Sequence, residues 1–446
     1  MSAPSAKNTK KRRPVVLYQP HDEGTAMPLG LLALGSWLAG EHVVIVDGRF
    51  ELAPEARVVE LAPGALCLGV TVRTGPPLRE ALRVSAAARA ASPGLAVVWG
   101  GAHPTLDPGS CLGTGVVDAC ALGAGEETLA EAAAALRAGH SLGPAAGLAV
   151  RDGGTTEPAA PPTRLWPRAD YSLLDLERHF ESRGSRSLDY CSSRGARDGA
   201  TWMAIRGERV VAEARELTER YRLSAVHFQD EDFFADAERV VTIARGLLDD
   251  GGDLRWQAWA RPEDVVDAGP ERLRLVADSG CRRLHLRVRP GAPPREILME
   301  AGARLHAAAL AARFVFEVAE PDGRLDSLKD AVSVARSLCA LDARFETPIR
   351  RARDLPPGAA DSLEGWAARA EAPWSDPRAE RRRVRATFFF AEAQRAPGRR
   401  LGKHLLRLLA LVRVRLGFFA LDLDRLAVEA SAILRTGRAR RRSGGD

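Results

Sequence analysis

Twice along this chain, short β-branched runs alternate with Ala- and Leu-rich stretches of helical period, and a proline-rich segment separates the two blocks. Such alternation is the pattern of a parallel sheet covered by helices, so the chain is α/β. In the first block the strands are expected at Val15–Tyr18, His42–Val46, Ala65–Val70, Ala96–Trp99 and Ala119–Leu122. Helices fall between them at Leu29–Ala39, Leu78–Ala91 and Glu127–Ala138. Five such units over 14–150 predict one doubly wound, Rossmann-like domain whose ligand sits at the carboxyl ends of the strands.

The segment 151–186 reads as a linker, since Arg151-Asp152-Gly153-Gly154 is followed by Pro158, Pro161, Pro162 and Pro167, which disfavour helix and strand alike. The second block covers 187–355. Its strands are expected at Ser187–Ser192, Ala225–Gln229, Arg255–Ala260, Arg283–Val288, Arg313–Val318 and Arg344–Thr347, with helices at Glu208–Tyr221, Asp236–Leu248, Pro270–Ser279, Pro294–Ala312 and Leu325–Leu341. Six repeats of this kind suggest an incomplete barrel, although periodicity alone does not separate it from a second open sheet. A mostly helical region is expected over 356–434.

The chain has 446 residues and a formal charge of +6, concentrated in basic tails at 1–13 and 435–446. These runs read as solvated tails, with a nucleic-acid or anionic-surface contact as the minority alternative. Six cysteines are scattered without CxxC spacing and no secretory signal precedes them, which leads us to expect free thiols in a reducing cytoplasm. No membrane span is expected, because the apolar stretch Leu405 to Leu421 is short and interrupted by Arg407, Arg413 and Arg415.

Three turns of the first block fall where a ligand would. Thr71-Val72-Arg73-Thr74-Gly75 follows the third strand, Gly100-Gly101-Ala102-His103-Pro104-Thr105 the fourth, and Gly123-Ala124-Gly125-Glu126 the fifth. Paired glycines let backbone approach a bulky ligand, and the third turn opens a helix whose N–H groups could meet an anion. The candidate cofactor-binding residues are therefore Thr71, Thr74, Gly75, Gly100, Gly101, His103, Pro104, Thr105, Gly123, Gly125 and Glu126. For His103 two readings stand, direct cofactor contact and an imidazole that fixes the turn. His21, in the loop after the first strand, is either a metal-ligating imidazole or a solvent-facing loop histidine. The run Asp230-Glu231-Asp232 reads as a barrel-mouth feature, with a Mg2+ site as its alternative.

Together with Pro28-Leu29-Gly30-Leu31, these turns resemble the N-terminal domain of B12-binding, cobalamin-dependent radical S-adenosylmethionine (SAM) proteins. The resemblance continues through Tyr190-Cys191-Ser192-Ser193-Arg194-Gly195, Trp202, Glu208-Arg209-Val210-Val211 and Phe228-Gln229-Asp230-Glu231-Asp232-Phe233-Phe234. It implies a Rossmann-like cobalamin-binding domain followed by a partial (β/α)6 radical-SAM-type barrel and a helical C-terminal region. It also implies a CxxxCxxC loop holding a [4Fe–4S] cluster that binds SAM.

Here the sequence departs from the family. The three cluster positions fall on Ala196, Ala200 and Met203, and only six residues separate Gly195 from Trp202. Alanine has no donor atom and a thioether is a poor substitute for thiolate. Arg289 stands where the resemblance implies a glutamate near SAM. The expectation is a protein that keeps a cobalamin site, has lost the [4Fe–4S] cluster and SAM, has no catalytic or metal-ligating residue of its own, and acts as a cobalamin-binding or partner-binding pseudoenzyme. An active radical SAM homologue is its expected partner. Three alternatives remain open: a non-radical enzyme using Asp230, Glu231, Asp232, Arg261 and Arg289; an active radical enzyme with atypical cluster ligands; and a nucleic-acid or membrane-surface binder acting through the tails.

Overall fold

A computed structural model describes residues 12–21, 26–75, 77–151, 153, 156–159, 167–195, 197, 202–251, 253–289, 293–317, 326–338, 342–346, 362–371, 384–387 and 408–414. The chain divides into two compact units. The first comprises Met1–Cys191, Ala212–His227 and Ile349–Ala372; the second comprises Ser192–Val211, Phe228–Pro348 and Pro373–Asp446.

The first sheet contains β1 (Val15–Gln19), β2 (Val43–Asp47), β3 (Cys67–Thr71), β4 (Ala96–Gly100), β5 (Ala119–Ala121) and β6 (Leu148–Val150). Their order is β2-β1-β3-β4-β5-β6, and β6 alone is antiparallel. The five expected strands are present to within a few residues at their ends. β6 went unread because three residues carry no period. Successive residues of β1 serve opposite faces: Val16 and Tyr18 enter one apolar cluster with Leu68, Val70, Val97 and Trp99, while Val15 and Leu17 enter another with Leu31, Leu38 and Cys67. The reversal of winding between β1 and β3 marks the crevice where a doubly wound sheet binds its ligand.

The second sheet is built from β7 (Ser187–Tyr190), β10 (Ala225–Phe228), β11 (Arg255–Ala260), β12 (Cys281–Val288), β13 (Ala311–Glu317) and β14 (Asp342–Glu346), with the short hairpin β8 (Ser193–Arg194) and β9 (Met203–Ala204) between the first two. Its order, β14-β13-β12-β11-β10-β7, is sequential. A winding that never reverses is that of barrel strands, and it decides against a second open doubly wound sheet. The expected helix Pro294–Ala312 ends earlier, at Ala307: Ala309 takes a left-handed φ of 56° and the chain enters β13 at Ala311. The expected Pro270–Ser279 proves to be the second half of helix Pro262–Asp278, kinked at Gly269, whose φ of 73° interrupts the helix before Pro270. Helix Leu363–Glu371 and the helical residues 384–387 and 408–414 are the described parts of the C-terminal region. Residues 1–11 and 435–446 of the basic tails lie outside the described residues, whereas Arg12 pairs with Glu41 and Arg13 donates to the Ala65 carbonyl. No described helix is long and apolar enough to cross a membrane.

Part of the linker is seated on the first sheet. Ala159 donates to Leu122 O and accepts from Ala124 N at 2.8 and 3.1 Å. Gly123 has φ +78°, and a Cβ there would lie 2.4 Å from the Ala159 carbonyl oxygen. Gly123→Ala is therefore expected to destabilise the protein by about 1–3 kcal/mol, measured as a lowered urea midpoint.

Candidate functional site

In the first unit the three predicted turns converge at the carboxyl ends of β3, β4 and β5. Thr71 pairs with Gly100, Val72 N donates to Gly100 O at 2.8 Å, and His103 N donates to Val72 O at 3.0 Å. Thr105 Oγ1 donates to Gly101 O at 2.8 Å and accepts from Gly123 N at 2.9 Å, which joins the second turn to the third. Gly101 takes φ +96°, and a Cβ there would meet Thr71 Oγ1 and Val72 O at 3.1 Å. Its glycine thus permits close packing between the turns.

Exposure sorts the candidates. Gly101 and Gly123 are exposed; Thr71, Thr74, Gly100, Thr105 and Gly125 are half-buried; Gly75, His103, Pro104 and Glu126 are buried. His103 is turned inward, with Nδ1 on Thr74 Oγ1 at 3.2 Å, Nε2 near Ser110 Oγ at 3.5 Å, and the Trp366 ring edge-on at 5.5 Å. As it stands it fixes the turn. The helix Gly125–Arg137 carries Glu126 and Glu127 in its first turn, so its N-terminus already faces carboxylates and does not favour an anion.

The loop after β1 reaches the same end of the sheet and is held at both sides by carboxylates. Glu80 accepts from Tyr18 Oη and, at 3.0 Å, from His21 N; Asp189 accepts from Met27 N at 2.7 Å. The His21 side chain is exposed. A corrin ring is broad and flat and carries many amide groups. The exposed ledge of Gly101, Ala102 and Gly123, with Thr74 and Thr105 beside it, offers backbone and hydroxyl partners without bulky side chains, and to that extent fits such a ring. His103 does not supply a cobalt ligand, because both of its nitrogens face protein partners.

Asp189 belongs to a buried charge cluster that the sequence did not disclose. It is fully buried, accepts from Arg183 Nη1 and Nη2 at 3.2 and 2.5 Å, and lies 3.4 Å from His227 Nδ1. Burial alone would raise its pKa, but hydrogen bonds from His227, Arg183 and Met27 N, with the Arg183 charge, hold the carboxyl well below the usual range. Near the end of β2, Asp47 is forked by Arg49 at 2.8 and 2.7 Å, and His179 packs 4.2 Å from the Phe50 ring. Burial lowers the His179 pKa from 6.5 to about 4, against the attraction of Asp47.

That lowering has a definite sign. Between pH 6.5 and 4 the unfolded chain protonates this imidazole while the folded chain keeps it neutral, so acidification through that window costs stability, ~3 kcal/mol when complete. In His179→Phe this loss is expected to disappear, so that the urea midpoint of the variant falls less than that of the parent between pH 7 and pH 4.5.

In the second unit, Met203, which stands at one cluster position, is paired across the hairpin with Arg194, and Ala204 with Ser193. Ala196 and Ala200 lie outside the described residues. The base of this hairpin is fixed from below. Fully buried Asp230 accepts from Ser192 N at 3.1 Å, from Ser192 Oγ at 2.7 Å and from Ser193 Oγ. Arg239 donates to Ser192 O at 3.1 Å and to Ile205 O at 2.7 Å, tying both ends of the loop. Desolvation raises the Asp230 pKa against the lowering by the two serines and Arg239.

The neighbouring acids are engaged separately. Asp232 is forked by Arg261 at 2.8 and 2.7 Å and accepts from Arg197 N at 2.8 Å; Arg197 Nη2 donates to both Asp264 oxygens at 2.7 and 2.6 Å; Glu231 faces Arg287 and Arg289 at 3.7 and 4.0 Å. The three acids of the Mg2+ alternative therefore have three different sets of partners. Among the described residues no group of three or more His, Cys, Asp or Glu is placed to hold a metal ion. Cys67, Cys111, Cys120 and Cys281 are buried free thiols and Cys191 is half-buried; Cys339 lies outside the described residues.

Comparison with known proteins defines the class. Residues 20–133 match the B12 binding domain family. TsrM from Kitasatospora setae, a radical SAM methyltransferase solved with tryptophan substrate and a SAM analogue, matches with a TM-score of 0.65 at 17% identity, covering 94% of this chain and 100% of that one. OxsB, a cobalamin-dependent SAM radical enzyme solved with aqua-cobalamin and SAM, matches with a TM-score of 0.62 at 17% identity over 80% of this chain and 56% of its own. An uncharacterized methyltransferase of Pyrococcus horikoshii is 27% identical over 292 residues, 60% of this chain. The match spans 62% of that relative's length, less than two thirds. Residues 20–133 are thus similar to the B12 binding domain family, and the chain shares its fold with solved cobalamin-dependent radical SAM proteins.

Proposed function

We propose that this protein binds cobalamin on the strand-end ledge of its first unit and performs no radical SAM chemistry, because its second unit holds no [4Fe–4S] cluster. The observation that carries the reading is uneven change. The turns after β3, β4 and β5 keep small residues and exposed backbone, whereas the cluster positions hold Ala196, Ala200 and Met203. Cobalamin when bound would supply an alkylatable cobalt centre. The chain's part would be to cradle the ring with Gly101, Ala102, Gly123, Thr74 and Thr105 and to keep the loop after β1 in place through Glu80 and Asp189. Support of an active radical SAM homologue, and residence in the cytoplasm, complete the proposal.

Titration with hydroxocobalamin tests the cofactor half. We expect a shift in its visible absorption bands and co-elution of one cobalamin per chain on gel filtration. An unchanged spectrum with no co-elution would overturn it.

A further inference from the structure

Parallel strands covered on both faces bury apolar side chains on both. Strands β11, β12 and β13 do so fully on one face, while the other is mainly polar, with Val315 as its buried apolar residue. On the first face Ala258, Ala260, Leu284, Leu286, Phe314 and Phe316 are all buried. Alternate residues turn to the opposite face, which carries Gln257 and Trp259, then Arg283, His285 and Arg287, then Arg313, Val315 and Glu317. The register places Gln257 beside Arg283, Trp259 beside His285, and His285 beside Arg313. Arg289 continues the alternation just beyond β12. Four half-buried arginines therefore share this face with a single carboxylate from the same strands, Glu317.

At the carboxyl end of these strands the face opens into a cleft of about 210 Å³ whose lining includes Trp259, the arginines Arg261, Arg287 and Arg289, and the carboxylates Glu231, Asp232 and Glu263. Its ion pairs are of two kinds. Arg261 grips Asp232 as a fork at 2.8 and 2.7 Å. By contrast Arg287 and Arg289 reach Glu231 at 3.7 and 4.0 Å, Arg287 reaches Glu317 at 3.6 Å, and the Arg287 guanidinium lies 4.9 Å over the Trp259 ring. Half-exposed contacts of that length contribute little, whereas an oxyanion seated between two guanidiniums makes charge-assisted, bidentate hydrogen bonds.

We propose that this cleft, backed by the arginine-bearing face of the second sheet, binds a small oxyanion with at least two negative charges, a dicarboxylate or a phosphate compound, with Arg287 and Arg289 as its principal contacts. The size of the cleft, below the roughly 300–1,000 Å³ of sites for drug-sized ligands, sets the small scale of the occupant. Arg283 and Arg313, on the same face, supply the further positive potential that favours a divalent ion over a monovalent one. The site lies wholly within the second unit and does not rest on the cobalamin reading.

Isothermal titration of the full chain with inorganic pyrophosphate and, separately, with malonate tests the proposal and distinguishes phosphate from carboxylate chemistry. At least one probe is expected to bind saturably at one per chain, and more weakly as salt is raised. In Arg287→Gln/Arg289→Gln the affinity should fall about tenfold to a hundredfold, as expected for loss of charge-assisted hydrogen bonds. Arg313→Gln, on the neighbouring strand, should weaken binding by a smaller factor and provides the reading if the double variant fails to fold. Hydroxocobalamin retention should be unchanged in all of these variants. Absence of saturable binding by either probe, or equal affinity in the parent and in the arginine variants, would overturn the proposal, and neither result bears on cobalamin.

Discussion

Replacement of Asp189 by alanine is expected to destabilise the protein by about 3–5 kcal/mol, because it strands the Arg183 guanidinium in a buried site. The Arg183 side chain is 9% exposed and Asp189 0%. The two oxygens of Asp189 also receive the Met27 N–H and face His227, so one truncation leaves several polar groups without their acceptor. The effect should carry a pH signature. A carboxyl whose folded pKa is lowered stabilises the fold fully above its unfolded value near 4 and progressively less as pH falls below that. The difference in urea unfolding free energy between parent and Asp189→Ala should therefore be largest at neutral pH and shrink in acid. Because Met27 ends the loop after β1, the variant should also retain hydroxocobalamin less well. A variant as stable as the parent at pH 7 would show that the cluster does not anchor the fold.

A loss of similar size, about 3–5 kcal/mol, is expected for Arg239→Ala. This guanidinium is 7% exposed and bonds the carbonyls of Ser192 and Ile205, which flank the hairpin β8–β9. Its removal leaves two acceptors and the Asp230 carboxylate buried without their cation. Arg239→Lys should recover only part of the loss, since one ammonium cannot reproduce a planar fork across two carbonyls. Urea unfolding checks the energy. Limited trypsin cleavage within 193–204 gives an independent reading, and it should accelerate in Arg239→Ala before the rest of the chain opens. Equal cleavage rates in parent and variant would contradict the stapling role.

Much of the architecture was legible because the period-2 runs are interrupted so regularly. Arg255–Ala260 was placed to the residue, and the strands of the first sheet to within a few positions. Alternation in Arg283-Leu284-His285-Leu286-Arg287-Val288-Arg289 also carried the signal of a strand with one polar face, although length and apolar residues alone marked it only as a strand. What the sequence could not disclose were contacts made across long separations. Met27 meets Asp189 162 positions away, and Trp366 meets Asp107 259 positions away. The orientation of His103 depends on partners of this kind: its position after β4 placed it in the right turn, but Thr74, Ser110 and Trp366 turn it inward. In the sequence, Gly101 suggests backbone room for a ligand and the turn at Gly123 an anion-facing helix start. In the fold each accommodates neighbouring backbone, at Val72 and Ala159 respectively, and only their exposure leaves them available to a cofactor.

Anaerobic reconstitution of the full chain with iron and sulfide, followed by iron quantitation and absorption spectroscopy, with hydroxocobalamin added to a parallel sample, tests the central claim most directly. No bound iron above background and one retained cobalamin per chain are expected. A stoichiometric [4Fe–4S] spectrum would contradict that claim and show that ligands other than residues 196, 200 and 203 hold a cluster in this protein.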